Sequence, residues 1–116
     1  IFGVHYPLRN IRICQTVLRR RLPISAGAAG SLDIISGATT LLIRASSALG
    51  FAAAKIFVDA NFSTVALEQS LGGIFATGAG TPGDGKVYIT KSGSNLILTN
   101  HNSAATFYVM ALSAVM

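Results

Sequence analysis

The final third of the chain leaves little room for anything but β structure. Lys86-Val87-Tyr88-Ile89-Thr90-Lys91, Asn95-Leu96-Ile97-Leu98-Thr99-Asn100 and Thr106-Phe107-Tyr108-Val109-Met110-Ala111-Leu112 are short runs rich in β-branched and aromatic residues, which suit a pleated, half-buried surface. Ser92-Gly93-Ser94 supplies a hairpin corner between the first two runs, and a polar loop precedes the third. The meander predicts an all-β module. In its last strand Phe107, Val109 and Ala111 share one face, and Tyr108, Met110 and Leu112 the other. Both faces are apolar, whereas a strand with one solvated face alternates with polar residues. One face therefore packs the core. The other meets a neighbouring subunit or is covered within the same chain.

Further strand candidates precede this region at residues 31–35, 39–45 and 52–59, and at the short run Ile74-Phe75-Ala76. Residues 61–68 read as a strand or a single helical turn, and residues 46–51 as a turn or short loop. Ser25-Ala26-Gly27-Ala28-Ala29-Gly30 reads as a small-residue loop, and Thr77 through Lys86 as a loose Gly- and Pro-rich connection. Turn signals recur every 8–12 residues or so, the spacing of a sandwich or jelly roll. Parallel α/β organisation would need helical stretches of about a dozen residues, and none is convincing. The expectation is an antiparallel, jelly-roll-like β-sandwich of seven to nine strands over residues 24–116. Residues 1–23 are expected to be a connector or the end of a preceding domain, closed by Pro23. Partial alternation of Ile11, Ile13 and Val17 with polar neighbours gives that segment strand character too. The chain opens at Ile1 in what reads as mid-structure, without a recognisable signal peptide, as expected of a piece of something longer.

Half the residues are apolar but only 11% are charged, less than half the roughly 25% of ordinary soluble domains. So little charge predicts that part of the surface is buried against other chains. Residues 45–54 and 104–116 are the longest apolar stretches, and both fall short of the ~20 residues of a spanning helix. Strands for a membrane barrel are too few. One cysteine, Cys14, excludes an intrachain disulfide and reads as a small buried hydrophobe.

Catalytic chemistry is not visible. The acids are Asp33, Asp59, Glu68 and Asp84; Asp59 and Glu68 would make a glycosidase-type pair only if folding joined them. Cys14, His5 and His101 are far apart in sequence, a weak metal case. The Gly-rich loop ending at Lys86 leads into a strand rather than a helix, so it is not a phosphate-binding loop. No catalytic residue, cofactor or metal is expected. Net charge is +5, and Arg9, Arg12, Arg19, Arg20 and Arg21 carry five of the nine basic side chains. Consecutive arginines on a strand cannot share a face, and the segment lacks the interleaved aromatic platform of single-strand binders. A solvated or interface-forming run is expected, without nucleic acid; acidic sugars or lipopolysaccharide phosphates are its alternative contacts. Two polar loops flanked by aromatics, Asn61-Phe62-Ser63-Thr64 and Asn100-His101-Asn102-Ser103, carry groups of the kind that bind sugars, with Asn61, Phe62, His101 and Asn102 as candidate contacts. His101 otherwise reads as a solvated loop residue.

The small-residue loop followed by Ser31-Leu32-Asp33-Ile34-Ile35, the middle Ala79-Gly80-Thr81-Pro82-Gly83, and above all Gly93-Ser94-Asn95-Leu96-Ile97-Leu98-Thr99-Asn100 before a last apolar strand resemble the C-terminal β-sandwich domain of bacteriophage tailspikes and tail fibres. The resemblance covers about residues 24–116. It implies a homotrimer at the distal end of a longer fibre or β-helix, located in the virion tail and outside the cell. Such domains hold the trimer together, and some contact bacterial surface polysaccharide. A capsid or decoration protein, or a trimeric C1q/TNF-like jelly roll without glycan binding, is the alternative. The family supplies no catalytic residue to carry over.

Overall fold

A computed structural model describes residues 14–115, with side chains from 17 to 113. His5, Arg9, Arg12 and the Cys14 side chain, all considered above, lie outside the described set. The fold is a β-sandwich. Its larger sheet has five strands in the order β1 (Cys14–Ile24), β9 (Ala105–Val115), β3 (Ala38–Ala45), β4 (Ala53–Asp59) and β5 (Val65–Leu71). The smaller has four, in the order β2 (Ala29–Asp33), β8 (Asn95–Asn100), β7 (Val87–Ser92) and β6 (Phe75–Thr77). The first strand pairs with the last and the second with the penultimate, which is the wrapping of a jelly roll. Every pairing is antiparallel except β6 with β7.

Period-two patterning explains the core. Leu41, Ile43 and Ala45 of β3, Ala54, Ile56 and Val58 of β4 and Phe107, Val109 and Ala111 of β9 face inward from the larger sheet. Val87, Ile89, Leu96 and Leu98 meet them from the smaller one. Phe75 and Phe107 lock the two sheets edge to face, with centroids 6.2 Å apart. The polar pair within the core is satisfied: Thr39 Oγ1 and Ser113 Oγ lie 2.9 Å apart and both residues are buried.

Three local expectations are corrected. The small-residue loop becomes strand from Ala29 onward, because β2 passes close to β1: a Cβ on Gly30 would sit 3.0 Å from a Leu22 methyl. The stretch read as strand or helical turn is strand β5, and it starts only at Val65. Residues 46–51 contain a short 3-10 helix, Ser47–Leu49, capped by Gly50 in the left-handed region. Residues 14–23, part of the segment read as a connector or the end of a preceding domain and given strand character, lie in β1, which pairs with β9 along its whole length. Among the described residues no helix is long and apolar enough to cross a membrane.

Candidate functional site

The turns gather at two ends. At one end lie the loops after β1, β5, β6 and β8 and the 3-10 helix between β3 and β4; at the other lie the loops after β2, β4 and β7. His101 and Asn102 belong to the first end, Asn61 and Phe62 to the second.

At the first end the Gly-rich connection is not loose. Asp84 ties it down: Oδ2 accepts from Tyr88 Oη at 2.6 Å and from Thr81 N at 3.1 Å, and Oδ1 accepts from Lys86 N at 2.9 Å. Gly80 lies directly on the Tyr88 ring; a Cβ there would fall 2.1 Å from it. His101 also packs against Tyr88, centroids 5.2 Å apart. Its side chain is only 9% exposed, so the solvated-loop reading is corrected: the folded-over connection covers it. His101 Nδ1 is buried without a hydrogen-bond partner, 3.6 Å from Asp84 Oδ1. Asn100, fully buried, sets this loop. Its Nδ2 donates to the carbonyls of Ser103 and Ile24, and its Oδ1 accepts from Asn102 N. Asn102 Nδ2 in turn donates to Gly85 O at 2.6 Å. Together with Gly27, Pro82 and Gly83, His101 and Asn102 line an open pocket of about 350 Å³.

Three hydrogen bonds to its charged form hold Asp84 down to about 2 from the ordinary 3.8, with the Tyr88 hydroxyl the largest cause. The same bond raises the Tyr88 hydroxyl above its usual value. A carboxylate lowered on folding stabilises the fold fully above pH 3.8, and that contribution is lost as pH falls toward 2. Denaturant midpoints should therefore drop across that window in the native chain. The part of the drop due to this group should be missing in Asp84→Asn, which checks the assignment.

At the far end, Asn61 N donates to Asp59 Oδ1 at 2.9 Å, and Lys91 Nζ donates to Phe62 O. Phe62 is 66% exposed. Lys86, bonded to His101, precedes β7, and Lys91, bonded to Phe62, lies near its end. The five residue steps from one to the other span roughly 16 Å. The four sugar-contact candidates thus form two separate pairs, Asn61 with Phe62 and His101 with Asn102. Asp59 and Glu68 are not joined either. Asp59 caps its own turn, and Glu68 sits at a β-bulge against Lys55, 4.0 Å away.

A larger surface was not legible at any one stretch of sequence. Register sets the outward residues of the five-stranded sheet in rows: Arg21, Tyr108, Arg44 and Ala53; then Arg19, Met110, Leu42 and Lys55; then Val17, Leu112, Thr40 and Phe57. Val17, Leu42, Phe57 and Tyr108 are each more than a third exposed, and nothing among the described residues covers them. Among the described residues, then, the second face of β9 is left partly uncovered. The arginine run splits as strand geometry requires, Arg19 and Arg21 outward and Arg20 on the opposite side. Aromatics missing from the arginine run arrive from other strands. The Arg44 guanidinium lies 5.4 Å from the Tyr108 ring centre and 5.7 Å from that of Phe51. Phe51 holds a φ of 57°, a left-handed conformation that costs an aromatic residue about 1–3 kcal/mol.

No family model, curated protein or solved structure matches this chain.

Proposed function

We propose that this chain is an assembly and attachment module of the tailspike or tail-fibre type, a homotrimer that contacts a host-surface glycan and performs no catalysis itself. The observation that carries the reading is the uncovered outer face of the five-stranded sheet, with the apolar row Val17, Leu112, Thr40 and Phe57 as its assembly strip. An exposed strip of this kind, with Val17 and Phe57 open to solvent on a charge-poor chain, favours burial against a copy. Charge favours a ring over a two-fold pair. Arg19, Arg21, Arg44 and Lys55 share the face with the lone acid Glu68 nearby. A two-fold contact along the strip would bring the flanking cations of both copies together, whereas a head-to-tail ring sets the strip alone against a different surface and leaves those cations at its border. The His101–Asn102 pocket supplies a mostly apolar-walled recess with a few polar groups at the loop end, suited to a sugar.

Mass determination by light scattering at micromolar concentration tests the assembly, with a trimer mass expected for the native chain. Leu112→Asp should shift it to monomer with the β-sheet circular dichroism retained. A native monomer would remove the basis for the reading. Glycan-array binding that is lost in His101→Ala tests the attachment role.

A further inference from the structure

We propose that the two cationic rows of the outer face, centred on Arg19 and Arg44, bind an acidic saccharide, a sugar polymer carrying carboxylate or phosphate groups. This deepens the attachment reading above, on which it rests for a glycan as ligand, but places the contact away from the loop end and one row away from the assembly strip. A shallow groove of about 390 Å³ runs across these rows, bordered by Arg19, Arg44, Leu42, Ala53, Tyr108 and Met110. Its floor is apolar, offering a surface for the C–H face of a sugar ring, and its borders are guanidinium groups. Among the described residues, Lys55 meets Glu68 but Arg19, Arg21 and Arg44 pair with no carboxylate. Their charge is therefore available to an incoming anion, and a planar guanidinium matches a carboxylate or phosphate in a two-pronged geometry.

Arg44 is held ready. Tyr108 and Phe51 lie within 6 Å of it, and Phe51 is set there by the strained turn that follows the 3-10 helix, where Gly50 N donates to Ser47 O at 3.0 Å. Strain of this kind persists where the surroundings over-determine it. Nucleic acid is the competing polyanion, and the oligothymidylate probe below decides against or for it.

The test measures binding of the intact assembly to four immobilised probes: oligogalacturonate, phosphorylated mannan, neutral dextran and oligothymidylate. Retention on the first two, weakening with salt, and none on dextran is expected; the stronger of the two identifies carboxylate or phosphate as the anion. Arg44→Gln and Arg19→Gln should each weaken retention about tenfold with assembly mass and melting temperature unchanged. Arg44→Lys should recover only part of it. His101→Ala should leave it intact, which separates this contact from the loop-end pocket. The inference is overturned if the native assembly ignores both acidic glycans, if both glutamine variants bind normally, if His101→Ala abolishes retention, or if oligothymidylate binds as tightly as the glycans. A native assembly that ignores the acidic probes but still forms a trimer and binds a neutral glycan through His101 removes this inference and leaves the attachment reading standing.

Discussion

Phe107→Ala should cost the fold about 3–5 kcal/mol, the usual range for removing a fully buried phenylalanine. The ring is completely excluded from solvent and packs edge to face against Phe75 across the two sheets. Its strand is paired on both sides, by β1 and β3, so neither the backbone nor a neighbouring element is free to collapse into the cavity. A shift in the denaturant midpoint at unchanged m-value is the expected readout. The adjoining residue is the control. Tyr108 points outward from the same strand and contacts Arg44, so Tyr108→Ala should cost about 1 kcal/mol or less. Equal losses at both positions would mean that the outward face is as tightly packed as the core, contrary to the architecture described.

Gly80→Ala should be the most damaging change in the loop-end pocket. The backbone at Gly80 has a φ of +66°, and an added Cβ would fall 2.1 Å from Tyr88 Cε2 and Cζ. The left-handed conformation costs an L-residue about 1–2 kcal/mol, and forced overpacking typically adds about 1–3. Tyr88 or the loop must move, and either movement breaks the Tyr88–Asp84 hydrogen bond. Gly83→Ala isolates the two costs. Gly83 has a similar φ of +82°, yet nothing lies within 4 Å of its Cβ position. It should show the strain alone and keep the acid-dependent drop in stability between pH 3.8 and about 2; Gly80→Ala should lose that drop as well. Urea titrations at neutral and acid pH distinguish the two outcomes.

The strands that could be read directly from sequence are those whose patterning and turn chemistry agree. Around Ser92-Gly93-Ser94-Asn95 the hairpin is explicit; β7 and β8 follow within a residue or so, and β9 starts one residue early and runs three further, to Val115. β5 is different. Its residues are mostly exposed and a bulge at Glu68 breaks the alternation, so period-two reasoning has little to hold. β2 hides because Ala29 and Gly30 look like loop, whereas the smallness of Gly30 serves the close approach of β1 instead. The pocket at the loop end was half legible. His101 and Asn102 stood out as polar loop residues, whereas Asp84 and Tyr88 were passed over. Counting back from the hairpin turn pairs Val87 with Asn100, which brings Lys86 beside His101, and that register was the available signal. The cationic face gave no such signal, because its rows are assembled from β1, β9, β3 and β4, strands far apart in the chain.

The position of β9 has a consequence for how the molecule comes into being. It is the second strand of the larger sheet in space and follows all the others in the chain, seated between β1 and β3, both made long before it. Until it arrives, β1 has no partner among the described strands and the five-stranded sheet is a three-stranded remnant with an unpaired β3 edge. During synthesis the nascent chain therefore carries two open strand edges, each a template for pairing with another chain. The pairing that removes both edges is also among the longest-range in the protein, so it closes late and slowly. Productive folding here is a race between insertion of one strand and capture by a neighbour, and whatever holds the nascent strands apart until residues 105–115 emerge decides the yield.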